Sequence, residues 1–400
     1  MTSGNPFPSA LRSEIRLLLD CSRLRVPTTV ADRIRRIARS SLNWDQLTRA
    51  ASWHGVVPLL CYNLNRLCAD AVPLSVLRDL QARFRTNSTR NLSLAAELLK
   101  VLQFLEKNRI EAVPFKGPAL AIAAYGNLAL RQFYDLDVLV KEKDFPKAKE
   151  LFLTHGYQPW RGLTPLEEAE HFRSNHAYTL VRSQDGLRLD LHWRITQERY
   201  AFGLDVESLW NRITSMPFCG RDVLSMSTED LLIVLCLHGS KHNWYRLAWI
   251  CDVAEVMRAN PELRWDEIMG RINTLHIARA VLLGLDLAGS LLDTPLPEQV
   301  SSAIRRDRGV RRVSSLIKKR LFARSRNLGP LESAVLFFMT RERLQNQVPH
   351  LLYSLRRAVT PNEADARVFS LPDSLYFLYY PLRAMRLINT AVERLFSRAH

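Results

Sequence analysis

Four hundred residues, 47% of them hydrophobic, suffice for a sizeable core and exceed one mean domain length, so two or three domains are expected. A formal charge of +16 implies an anionic partner, whether nucleotide, nucleic acid, phosphorylated substrate or membrane surface, without choosing among them. Six scattered cysteines with no C-x-x-C pair argue against a zinc site or disulfide framework; with no basic-then-apolar leader and no apolar run near the ~20 residues of a membrane span, a cytoplasmic protein is expected.

Residues 1–107 read as a helical region. ALRSEIRLLLD and LSLAAELLKVLQFLEKNRI place apolar residues at three- and four-residue spacing, and the second ends on Lys107, Asn108 and Arg109, suited to a helix C-terminus.

The character changes near 110. EAVPFKG reads as a short strand and a turn, and PALAIAAYG as a helix opened by Pro118 and closed by Gly126. A strand ending in Lys-Gly before a helix start aims backbone N–H groups at an anion. Lys116 adds a point charge for a phosphate, and Gly117 permits close backbone approach. Arg131, four residues before Asp135, is a candidate to neutralise a triphosphate.

YDLDVLVKEKD is the next strand. Asp135 and Asp137 are two apart and share one face, ~6–7 Å from each other, where two carboxylates repel unless a cation sits between them. Magnesium, or manganese in its place, is the cation such oxygens suit, since magnesium is commonly held by one or two carboxylates plus substrate phosphates. FPKAKELFLTHGY reads as a helix stopped by Gly156. HAYTLVRSQDGLRLDLHWRI reads as a hairpin turning at Gln184-Asp185-Gly186. On its second strand Leu187, Leu189, Leu191 and Trp193 share one face, and Arg188, Asp190, His192 and Arg194 the other. If that strand lies beside the 135–140 strand, three carboxylates converge. These mixed elements suggest a compact α/β module over 108–222, with Tyr134, Trp193 and Trp249 expected to pack rather than bind.

From 223 to 400 the chain reads as helical again, opening on Ser227 three residues before Asp230. His238, Lys241, His242, Arg246 and Asp252 form a polar constellation that either closes over a ligand or lines an interdomain surface; the glutamate of H-E-x-x-H is absent, which disfavours a zinc peptidase. The basic run 305–326 reads as a solvated helix face, with contact to nucleic acid or an acidic membrane surface as the alternative, which would make the protein membrane-peripheral. SLYFLYYPLRAMRLINTAVERLFSR near the C-terminus has helical spacing suited to packing on the domain, on a partner or on a membrane surface.

FKGPALAIAAYGNLALRQFYDLDVLV, then LDLHWRI and LCLHGSKHNWYRLAWICDVAEVM, resemble the uncharacterised nucleotidyltransferase family of bacteria, within the DNA polymerase β-like superfamily. The resemblance implies an α+β fold: a small mixed-sheet nucleotidyltransferase core flanked by N- and C-terminal helical regions. It implies a catalytic, metal-holding triad of Asp135, Asp137 and Asp190, and transfer of a nucleoside monophosphate from an NTP, with ATP first among them, to an unidentified acceptor. Lys116, Gly117, Arg131 and Lys241 would bind the nucleotide, with His192, Arg194, His238, His242 and Asp252 in supporting places. Lys116-Gly117-Pro118 departs from the superfamily's Gly-Ser turn, so the usual serine hydroxyl is missing. The alternatives are a noncatalytic nucleotide- or RNA-binding module, or a pathway scaffold.

Overall fold

A computed structural model describes residues 12–197 and 206–323, with short stretches at 335–336, 338–340, 378–383 and 385–386. Most of the C-terminal apolar-basic stretch and residues 324–326 of the basic run lie outside the described residues.

Five helices come first: α1 (Arg12–Cys21), α2 (Thr28–Ala38), α3 (Trp44–His54), α4 (Val57–Cys68) and α5 (Leu74–Lys107). The α/β part follows with β1 (Ala112–Pro114), α6 (Gly117–Tyr125), β2 (Leu136–Val140), α7 (Phe145–Thr154), β3 (Tyr157–Pro159), α8 (Pro165–Ser174), β4 (Ala177–Arg182) and β5 (Arg188–His192). A short helix α9 (Val206–Trp210) leads to a hairpin of β6 (Thr214–Phe218) and β7 (Arg221–Ser225). Six further helices complete the described chain: α10 (Thr228–Lys241), α11 (Leu247–Ala259), α12 (Trp265–Thr274), α13 (Ala278–Leu292), α14 (Glu298–Arg306) and α15 (Arg308–Leu321). The fold is α+β, a small mixed sheet with helical flanks.

The main sheet has the order β1-β2-β5-β4-β3. β2 and β5 run parallel, in a register that sets Asp137 directly beside Asp190. The other neighbours are antiparallel. Strand alternation divides the residues as period two requires. Leu136, Val138 and Val140 of β2, with Leu189 and Leu191 of β5, pack into the core between the sheet, α7 and the later half of α5. Leu139 faces the opposite way, into the core of the helical body. Asp137 shares its face.

Helices from both ends of the chain build that second core together: Leu17 and Leu60 share it with Leu237, Val253 and Leu287. Arg23 of the N-terminal part pairs with Asp293 at 3.1 Å. Helix α5, 34 residues long, joins the two cores, with Leu77 and Leu80 in the helical one and Leu98 and Leu105 in the sheet's. In α15 Val310, Val313, Ile317 and Leu321 are buried at helical spacing, so the basic run turns an apolar stripe inward.

α8, β3, α9 and the β6–β7 hairpin were not anticipated. α8 opens with Thr164 and Glu167 in a reciprocal capping box ahead of a weakly apolar segment. β3 is only three residues long. The β6–β7 hairpin turns on Cys219 and Gly220, both at positive φ, and carries Pro217 within a strand.

Candidate functional site

Backbone placement of the site begins on α5. Asn91 donates to the carbonyls of Leu128 (2.6 Å) and Arg131 (2.7 Å), and Asn87 to those of Ala129 (3.0 Å) and Arg131 (3.2 Å). These buried amides pin the segment that leads into β2. Gly117 fixes the other side: its φ is +51°, and a Cβ there would lie 3.0 Å from the Asp135 carbonyl oxygen. The Lys-Gly turn and the acidic strand can approach this closely only without a side chain.

The polar face of β2 and β5 floors a cleft of about 630 Å³. Asp135, Asp137, Asp190, His192 and Lys116 line it from the sheet side; His238, Lys241, His242 and Arg246 line it from α10, α11 and the turn between them. That turn depends on Gly239, where a Cβ would fall 2.3 Å from the Trp244 ring. Trp244 is fully buried there and anchors the turn.

The three carboxylates differ in partners. Lys116 Nζ lies 3.3 Å from Asp137 Oδ1, and His192 Nε2 is 3.0 Å from the same oxygen. Burial would raise the Asp137 pKa, but Lys116 and His192 overcome it and hold the carboxyl well below its ordinary range. Asp135 moves the other way, up to about 6, through burial and the nearby charges of Asp137 and Asp190, against the opposing pull of Lys116 and Arg188. Asp190 Oδ1 is buried without a hydrogen-bond partner among the described residues.

Across the cleft the histidines are held neutral. Burial and the neighbouring Lys241, Lys116 and Arg246 lower His242 to about 3. His238 is driven well below its usual value, first by burial and then by the cations around it. His176, which the sequence reading passed over, also lines the cleft and sits 3.1 Å from Lys241 Nζ. Burial, then Lys241, depresses it strongly.

Other expected site residues have charged partners of their own. Arg131 lines the cleft, yet its guanidinium forks onto Asp252, Nε to Oδ1 at 2.9 Å and Nη2 to Oδ2 at 3.0 Å. Tyr125 Oη donates to the same Asp252 Oδ1 at 2.9 Å, and Asp252 is outside the cleft lining. Arg194 pairs with Glu142 at 2.9 Å and is also outside it. Of the three aromatics expected to pack, Trp193 is fully buried against Phe145 and Phe172. Trp249 packs against the helical core and also borders the cleft beside His238 and His242, whereas Tyr134 is 54% exposed at the cleft edge, under the Arg90 guanidinium at 4.1 Å. Tyr134 is too exposed to behave as core.

Among the described residues, no three His, Cys, Asp or Glu side chains are placed to hold a metal ion by themselves. The donors present nevertheless fit a hard divalent cation: carboxylate oxygens only, one carboxyl raised by burial and its neighbours' charge, and one buried oxygen unpartnered among the described residues. Such an ion would draw the rest of its shell from water and phosphate.

The model of a family described as "Uncharacterised nucleotidyltransferase" matches residues 40–293. No curated protein matches the chain. Among solved structures, an antigenic nucleotidyltransferase-like protein from Paracoccidioides brasiliensis is similar at 14% identity over 52% of this chain and 95% of that one, with a TM-score of 0.29, too slight a likeness to bear on fold or activity. The family match spans more than half of the sequence and includes every residue of the cleft: this chain belongs to the uncharacterised nucleotidyltransferase family.

Proposed function

We propose that the protein is a magnesium-dependent transferase that moves a nucleoside monophosphate from an NTP, ATP first among the candidates, to a hydroxyl-bearing acceptor and releases pyrophosphate. The observation that carries this reading is the register of β2 on β5, which sets Asp137 beside Asp190, with Asp135 two residues upstream, opposite a wall bearing Lys241 and Arg246. A pair of acids on one strand and a single acid on a later one is the arrangement of the DNA polymerase β-like superfamily, in which we place the chain.

Magnesium bound between the carboxylates and the phosphates would neutralise the triphosphate and polarise the α-phosphorus. Asp135 and Asp137 are the residues to hold it. Asp190, with an oxygen free of hydrogen bonds among the described residues, takes the proton of the acceptor hydroxyl. The hydroxyl oxygen forms a bond to the α-phosphorus as the bond to the bridging oxygen breaks, and pyrophosphate leaves with that bond's electron pair. Lys116, Lys241 and Arg246 offset its charge, as positioning and charge neutralisation supply most of such catalysis.

A second reading has its own support. Lys116 already neutralises Asp137, so the cleft could bind nucleotide without performing transfer. Incubation with α-labelled NTPs and magnesium separates the two. Label transfer and pyrophosphate release that vanish in Asp137→Asn support the transferase; nucleotide binding that survives Asp190→Asn with no pyrophosphate from any NTP supports the binding module. We also propose a cytoplasmic location, in keeping with six free thiols. Among the described residues no helix is long and apolar enough to cross a membrane.

A further inference from the structure

The cleft has a second half that donor binding does not use. Trp160 continues β3 by one residue, its backbone N–H donating to the Thr179 carbonyl at 3.0 Å. Thr179 is registered with Asp190, and Asp190 with Asp137. A single row therefore crosses four strands, Trp160, Thr179, Asp190, Asp137, and cross-strand neighbours in such a row share a face. At a strand spacing of about 4.8 Å the tryptophan lies roughly 10 Å from Asp190, on the side away from Asp137.

This outer end has the make-up of a binding platform. Trp160 is 59% exposed although it lines the cleft, a large apolar surface left in water. Arg188, two residues before Asp190 and on its face, holds its guanidinium 5.2 Å from the centre of the Trp160 ring. Its Nε is buried without a hydrogen-bond partner among the described residues. Arg161 adds a further cation at the rim, and among the described residues no carboxylate lines the cleft beyond Asp190 in this direction. A flat π-face, a guanidinium with an unanswered donor and a positive rim suit a ligand that is planar at one end and anionic at the other. The carboxylate that would take the acceptor proton stands between that platform and the donor side.

We infer that Trp160, Thr179 and Arg188 form the acceptor subsite, and that the acceptor is a nucleotide unit whose base stacks on Trp160, whose phosphate meets Arg188, and whose ribose hydroxyl reaches Asp190. The inference rests on the transferase reading for the role of Asp190, and the platform itself is testable apart from it. The unit could be a free nucleotide or the end of an RNA strand, and the overall charge of +16 agrees with either.

The test uses the full chain with its donor side filled by α,β-methylene-ATP and magnesium, titrated with AMP, with a short oligoadenylate RNA and with glucose 1-phosphate. AMP or the RNA is expected to bind, and Trp160→Ala to weaken that binding about tenfold or more, the scale of one lost stacking contact. Trp160→Phe should restore most of it, and an unchanged melting temperature shows that the variants fold. Comparable affinity for AMP and RNA identifies a free nucleotide as sufficient; much tighter RNA binding identifies a strand end. The inference is overturned if nucleotide affinity is the same in Trp160→Ala, or if glucose 1-phosphate binds as tightly as AMP with the same dependence on Trp160. If the ATP analogue itself fails to bind, the transferase reading falls, while AMP and RNA titrations without it still read the platform.

Discussion

Two groups of buried charge lie side by side in this molecule, Arg131 with Asp252 and Tyr125, and Asp135 with Asp137 and Asp190. In the first, every charged oxygen is answered: Asp252 receives both ends of a guanidinium fork and a phenol. In the second, three carboxylates on adjoining strand positions have direct contacts from one lysine and one histidine among the described residues, and both contacts fall on a single oxygen of Asp137. Balanced charge of the first kind holds elements together, here α6, the segment before β2, and α11. Unbalanced charge of the second kind costs stability and persists where a ligand supplies the missing cation.

This contrast is open to breaking by substitution. The largest effect is expected at the balanced group, because Asp252→Ala strands a buried guanidinium. We expect a loss of about 3–5 kcal/mol in unfolding free energy, read by denaturant titration. At the unbalanced group, Asp137→Asn should leave the fold in place and lower nucleotidyl transfer by about 10²–10³-fold, the scale for removing one preorganised charge. Label transfer at saturating ATP and magnesium measures it.

Asp135 gives the sign its opposite character. Its carboxyl is raised from 3.8 to about 6 in the folded protein, so between these values the folded form binds more protons than the unfolded one. Without divalent ions, stability from this group falls as pH rises through that window, and the cost is fully present above about 6. Asp135→Asn should therefore stabilise the ion-free protein at neutral pH by about 2–3 kcal/mol and flatten the slope, as thermal unfolding across pH 4–7 would show. Asp137 has the reverse sign, since its depressed carboxyl adds stability that is lost as the solution turns acid. The smallest effect is at Gly117, where alanine meets both a left-handed backbone and the Asp135 carbonyl. A loss of about 1–2 kcal/mol is expected, together with weaker ATP binding.

Much of the unbalanced group was legible in the sequence, because period-two alternation is local. Asp135 and Asp137 around Leu136, and Asp190 between Leu189 and Leu191, show which way each carboxylate faces before any contact is known. That β5 lies against β2 is a long-range fact, resting on resemblance until the register is seen. The pairing within the balanced group is just as long-range. Arg131 precedes the acids by four residues and looks like a phosphate ligand, whereas its partner is 121 residues away on α11. Tyr134 shows the limit of a default: an aromatic beside a strand reads as packing, and only tertiary placement leaves it exposed at the cleft. His176 sits between α8 and β4, where no periodicity marks a side chain's direction. The union of the N- and C-terminal helices into one core likewise has no local signal, since amphipathic stripes state that a face is buried and not against what.

The most direct measurement is the melting temperature of the wild-type protein and Asp135→Asn, each with and without ATP and magnesium. If the carboxylates exist to hold a cation and its triphosphate, the variant melts higher than wild type alone. Addition of ATP and magnesium then reverses the order, since ligand at a thousand times Kd stabilises only the competent protein, by about 4.1 kcal/mol. A wild-type protein that no NTP stabilises with magnesium or manganese, or a variant that melts lower in their absence, would contradict the account.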